Sequence, residues 1–156
     1  MLFRSGLLTR LTVLSIYSNY ITGTIPTEFG NLAQLSLFAV FTNNITGPIP
    51  SELGRLTSLT NLAVAENTIS STIPTELGNL AQLSGFSVFT NNITGPIPSE
   101  LGRLTVLNFL AMDENQINST IPTELGNLVK LSEISVFTNN WVLNVGIIKI
   151  MDVLWR

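Results

Sequence analysis

The residues best placed to do chemistry are three carboxylates, the adjacent pair Asp113 and Glu114 and, upstream of them, Glu66. Paired acids are the machinery of glycoside hydrolysis, and clustered acids hold hard cations. Neither reading finds support elsewhere in the sequence. The chain has no His and no Cys, which removes the commonest general base, the commonest metal ligand, the thiolate nucleophile and any disulfide. Nothing marks a nucleophile, and exposed carboxylates on a solvated face are the commoner case. No enzyme activity, metal or cofactor is therefore expected. With 7 Lys and Arg against 10 Asp and Glu, the net charge is −3, which disfavours a nucleic-acid footprint or a polybasic membrane patch. No run of apolar residues is long enough to span a membrane, and the first residues do not read as a signal peptide.

What positions these residues is a repeat. Leu8, Leu32, Leu56, Leu80, Leu104 and Leu128 are 24 apart, and Asn19, Asn43, Asn67, Asn91, Asn115 and Asn139 keep the same step. Ile-Pro pairs at 25–26, 49–50, 73–74, 97–98 and 121–122 follow it, as do Gly30, Gly54, Gly78, Gly102 and Gly126. A period of 48 lies on top: residues 40–57 recur unchanged at 88–105, so a pair of repeats was duplicated. Each unit alone cannot bury its apolar positions, and stacking supplies the core. Residues 35–40 read as a strand with Phe38 and Val40 on one face. The Asn column closes each strand, its side-chain amide free to bond backbone groups otherwise left unsatisfied. Pro50 ends regular pairing, and residues 51–54 read as a turn or 3₁₀ segment.

The pattern L-x-x-L-x-L-x-x-N-x-L-x-G-x-I-P-x-x-L-G-x-L, carried over residues 8–140, resembles the plant-type leucine-rich repeat of receptor-like kinase ectodomains and polygalacturonase-inhibiting proteins. Phe38, Phe86 and Ile134 stand for Leu in the strand, and Ser71 and Ser119 for the Gly. The resemblance implies a repeat solenoid of the α/β leucine-rich class. It would be a short, right-handed, curved coil with a parallel β-sheet on the concave face and 3₁₀ or turn segments on the convex side. Residues 1–140 form the repeat domain, about six repeats preceded by a partial one, and 141–156 a divergent hydrophobic tail, either a C-terminal cap or a truncation artefact. The Cys-bearing caps of the family's extracellular members are missing, so the chain reads as part of a longer protein.

Function is then expected on the concave face. Its third outward column reads Tyr17, Phe41, Ala65, Phe89, Asp113, Phe137, a row of exposed aromatics of the kind enriched at interfaces. Beside it runs a small column, Ser15, Ala39, Ala63, Ser87, Ala111, Ser135, in which a partner backbone could lie. The next column alternates hydroxyls with Glu66 and Glu114, which with Asp113 suit a basic partner. The leading reading is a non-catalytic module that recognises a protein or peptide through Tyr17, Phe41, Phe89, Phe137, Glu66, Asp113 and Glu114. The alternatives are an inhibitor of a secreted enzyme, or an ice- or polysaccharide-binding array of Thr and Asn. Duplication could also have spread a neutral aromatic. The sequons at Asn44, Asn92 and Asn118 permit glycosylation in a secretory pathway. The resemblance places the protein outside the cell or at its surface, with a parent chain that is membrane-anchored in the receptor case. A second acidic column, Glu28, Glu52, Glu76, Glu100 and Glu124, reads as turn capping, partly neutralised by Arg55 and Arg103.

Overall fold

Each 24-residue unit makes one coil of a solenoid, and the coils stack in register. A computed structural model describes residues 8–118 and 120–140. The residues before 8, Ser119 and the tail 141–156 lie outside the described residues, and the expectations about the tail fall there.

Six short strands form one parallel sheet in the order β1 (Val13–Ser15), β3 (Leu37–Ala39), β5 (Asn61–Ala63), β7 (Gly85–Ser87), β9 (Phe109–Ala111) and β11 (Glu133–Ser135). Pairing aligns equivalent positions, as in Leu37 with Asn61 and Asn61 with Gly85, so each column of the repeat becomes a continuous row. This is the sheet that lines the inner, concave side of leucine-rich solenoids. Across each coil lie 3₁₀ turns at Thr27–Asn31, Ser51–Arg55, Thr75–Asn79, Ser99–Arg103 and Thr123–Asn127, each entered from Pro.

A second set of parallel strands was not anticipated. Strands β2 (Thr22–Thr24), β4 (Asn44–Gly47), β6 (Thr68–Ser71), β8 (Asn92–Gly95) and β10 (Gln116–Ile117) pair side by side just after the Asn column. Their signal is a single buried Ile (Ile45, Ile69, Ile93, Ile117) between exposed polar neighbours. That alternation is the period of a half-buried strand, but two to four residues are too few to stand out in sequence.

The core is the inward columns. Phe38, Leu62, Phe86 and Leu110 from the concave sheet meet Leu53, Leu77 and Leu101 from the 3₁₀ turns, all essentially inaccessible. Phe38 and Val40 share the inward face as expected, and Phe29 packs edge-on to Phe38 with centroids 5.8 Å apart. The Gly column sets how closely coils approach. A Cβ on Gly54 would sit 2.7 Å from the Glu76 Cβ, and closer still to that residue's carbonyl oxygen. The glutamates expected to cap these turns do not do so: the N-cap residue is in each case Pro, which makes no side-chain cap bond, and among the described residues no glutamate carboxylate accepts a turn N–H. Instead Thr75 Oγ1 donates to Glu76 Oε2 at 3.3 Å, with the same local contact at Glu28, Glu100 and Glu124. Pro sets its own φ in advance of the turn, and its carbonyl accepts the N–H of the residue three on, as Pro50 O does from Leu53.

The Asn column does the bonding that its position implies, and more. Asn67 Nδ2 donates to Val64 O and Ala65 O of its own coil and to Val40 O of the coil before, at 3.2, 2.9 and 3.1 Å. Its Oδ1 accepts the Ile45 N–H at 2.9 Å. Asn43, Asn91, Asn115 and Asn139 repeat the scheme. Asn19 is exposed and, among the described residues, its side chain bonds Ile16 O and Tyr17 O of its own coil alone. Asn67→Ala is therefore expected to cost about 3 kcal/mol, because it orphans buried backbone groups, and Asn19→Ala less than about 1 kcal/mol. Urea unfolding of the two variants against the parent measures both. Ser71 holds φ +86°, where Gly23, Gly47 and Gly95 hold the same left-handed conformation in other coils. Ser71→Gly should add about 1 kcal/mol, read from the same curves.

Candidate functional site

Three residues of each concave strand region point away from the core, at alternate positions, and they form three lanes across the coils. The central lane is the small column; Ala39, Ser87 and Ala111 in it are buried, so they form a floor. One side is the aromatic column. The other, passed over in the sequence, is Val13, Leu37, Asn61, Gly85, Phe109 and Glu133. It is varied and largely accessible, which is the signal that marks it: core columns stay apolar in every coil, whereas this one mixes apolar, polar and charged residues. Gly85 is the exception within it, covered by the Asn61 side chain, whose Nδ2 would lie 2.6 Å from an added Cβ.

The predicted aromatic lane is present but divides into parts. Tyr17, 49% exposed, stacks on Phe41 with ring centroids 4.4 Å apart and planes within 7°. The next position is Ala65, buried, so the row is interrupted. Phe89 is half-buried and Phe137 is 60% exposed, and Asp113 lies on the rung between them. The structure thus brings Tyr17 and Phe41 together in direct contact and keeps Phe89 and Phe137 on separate rungs.

The three acids occupy different environments. Glu66 and Glu114 belong to a column (Ser18, Thr42, Glu66, Thr90, Glu114, Thr138) that holds φ between 50 and 54° in every coil. This left-handed residue turns the chain off the concave strand into the Asn. Each glutamate is held by the coil before: Thr42 Oγ1 donates to Glu66 Oε2 at 3.0 Å, and Thr90 Oγ1 to Glu114 Oε2 at 2.8 Å. The alternation of Thr and Glu is therefore a set of hydrogen-bonded pairs. Asp113 is only 8% exposed, and its carboxylate makes no hydrogen bond or ion pair with any described residue. The three do not converge, and among the described residues no group of acidic side chains could hold a metal ion.

A second ladder runs along the turn before the concave strands. Ser36, Thr60, Ser84 and Ser132 each donate their hydroxyl to the backbone carbonyl of the residue one coil back, at 2.9 to 3.1 Å. It fixes the start of each strand as the Asn ladder fixes its end. Asn44, Asn92 and Asn118 are exposed, on or beside the second set of strands. No helix among the described residues is long and apolar enough to cross a membrane.

The family model described as Leucine Rich Repeat matches residues 10–32. No curated protein sequence matches the chain significantly. Among solved structures it is similar to the ectodomain of the Arabidopsis receptor kinase HAESA in complex with an N-terminally extended IDA peptide hormone ligand. That match has 37% identity and TM-score 0.83, over 88% of this chain and 23% of that one. It is also similar to the plant peptide hormone receptor RGFR1 in complex with RGF2, with 34% identity and TM-score 0.84, over 85% of this chain and 21% of that one. A third is the ectodomain of the membrane receptor kinase GASSHO1/SCHENGEN3 from Arabidopsis thaliana, in complex with CASPARIAN STRIP INTEGRITY FACTOR 2. Here identity is 30% and TM-score 0.85, over 92% of this chain and 18% of that one. The chain spans about a fifth of the length of these receptor chains.

The stacked pair makes a measurable prediction. A double-mutant cycle of Tyr17→Ser and Phe41→Ser should give a coupling of about 0.5–1 kcal/mol in stability, read by thermal or urea unfolding.

Proposed function

We propose, from the premise that this chain is a plant-type leucine-rich repeat protein, that its concave face binds an extended peptide or a protein segment without chemical conversion. The single observation that carries the reading is the exposed aromatic lane beside a floor of small residues. Aromatic rings left in solvent on a face whose core is already complete lower solubility, whereas at an interface they supply large contact area at little entropy cost. The small column supports the same reading. It lets a partner's backbone lie close to the sheet while its side chains meet Tyr17, Phe41, Phe89 and Phe137 on one side and Leu37 and Phe109 on the other. Glu66, Asp113 and Glu114 favour a partner carrying basic residues, which is attracted at a rate that falls with salt.

The similar receptor ectodomains, solved with peptide hormones or factors bound, lend this reading weight by analogy. The same analogy favours an extracellular or cell-surface setting. Asn44, Asn92 and Asn118 would then accept glycans away from the concave lanes. A flat ice- or glycan-binding lattice has less support: Thr42 and Thr90 already spend their hydroxyls on Glu66 and Glu114.

The test replaces Phe41 and Phe89 together with Ser, and screens parent and variant against a library of basic and neutral peptides. Loss of about tenfold or more in affinity for the peptides that the parent binds is expected, with the unfolding curve little changed. Equal affinity in a folded variant, or no saturable peptide for the parent, removes the reading.

A further inference from the structure

We infer that Asp113, with Phe89 and Phe137 on the rungs either side, forms a cation-accepting notch in the concave face that takes an arginine side chain of the bound partner. The inference rests on the peptide-binding reading and gives it a position and a chemistry.

Register places the three residues in one lane. Thr90 N–H donates to Asp113 O and Glu114 N–H to Phe137 O, so the coils carrying 89, 113 and 137 are consecutive and aligned. Rungs lie about 4.8 Å apart, which puts the backbones of Phe89 and Phe137 about 10 Å from each other with the shorter aspartate on the rung between them. Such a gap admits one planar group. A guanidinium standing between the rings would lie about 5 Å from each face, within the range of cation–π attraction, with its N–H fork directed down at the carboxylate. An ammonium fits the charge but not the two flat walls.

The state of Asp113 is the second, independent observation. The residue is 8% exposed, and its carboxylate has neither a hydrogen bond nor an ion pair among the described residues. A side chain of so buried a residue that finds no partner among its described neighbours is uncommon, and folded chains rarely keep one without a use. The fold does not require it, since Ala65 fills the same position two coils earlier. Glu114 does not compete for the cation from the same place, because Thr90 already holds it at 2.8 Å. The other aromatic segment of the lane lacks the feature: Tyr17 and Phe41 are stacked on each other, with no gap and no acid between them.

The experiment uses the full chain and a capped pentapeptide, acetyl-Gly-Gly-Arg-Gly-Gly-amide, with its citrulline and lysine counterparts. Binding is followed by NMR shifts of the Phe89 and Phe137 ring protons and of the Asp113 backbone amide. Saturable binding of the arginine peptide is expected, with citrulline weaker by about tenfold and lysine intermediate. Asp113→Asn should weaken the arginine peptide by about tenfold, and Phe89→Ser by about threefold. Asp113→Ala, which copies the residue at 65, should raise the melting temperature by a few degrees while losing the binding. Citrulline binding as tightly as arginine, or Asp113→Asn leaving arginine affinity unchanged, overturns the notch. If a library peptide still binds the Asp113→Asn protein with parental affinity and loses affinity on Phe41→Ser, the notch fails and the concave-face reading stands.

Discussion

Two backbone groups per coil, the carbonyl three residues before the Asn and the N–H two residues after it, would be stranded without the Asn column, and the rest of the structure depends on how that column resolves them. A 24-residue coil has to turn off its concave strand while its chain is still inside the molecule. The turn is made by a residue with positive φ, and it leaves the carbonyl two residues before it and the N–H two residues beyond the Asn without backbone partners. Water cannot reach them. One planar amide with two donors and two acceptor lone pairs satisfies them across two coils at once. The carbonyls of Val40, Val64, Val88 and Met112 each accept from two asparagines, their own coil's and the next one's. The ladder is therefore a zipper, and it locks the stacking distance and the register together.

Once register is locked, every column of the sequence becomes a row in space. Inward rows of Leu, Ile, Val and Phe close a single core that runs the length of the solenoid. The Gly row allows adjacent 3₁₀ turns to touch through backbone, and the hydroxyl row holds the other end of each strand. Outward rows have no such duty. They are where residue type changes from coil to coil, and where a binding face can be written without disturbing the fold. The composition follows from this division: 45% of residues are hydrophobic because the inward columns are many, and only 11% are charged because Asn, Thr and Ser cover most of the outside.

Duplication in pairs gives the concave face its alternating texture. Phe41 and Phe89 lie in identical blocks, and Ala65 and Asp113 occupy the matching position of the intervening coils. The same alternation puts Glu66 and Glu114 beside Thr42 and Thr90. A surface copied this way is regular in its hydrogen bonds but uneven in its apolar contacts. It carries an aromatic stack at one end, Tyr17 on Phe41, and at the other two phenylalanines, Phe89 and Phe137, with Asp113 on the rung between.

The 24-residue period by itself determined the solenoid, the inward columns, the Asn ladder, the 3₁₀ turns and the outward direction of the aromatic lane. Those follow from periodicity and from the obligation to satisfy buried backbone, both of which are local to one repeat. The tertiary structure decided what depends on neighbouring coils. It showed that Tyr17 and Phe41 touch, and that Glu66 and Glu114 are bonded while the carboxylate of Asp113 has no partner among the described residues. It also brought out the second strands around Ile45, Ile69, Ile93 and Ile117, and the varied lane from Val13 to Glu133. Each of these is a relation between residues 24 apart or more, or a strand of two to four residues that exists only because an identical one lies beside it. A column in a sequence states which residues recur; only stacking at a fixed rise states which of them meet.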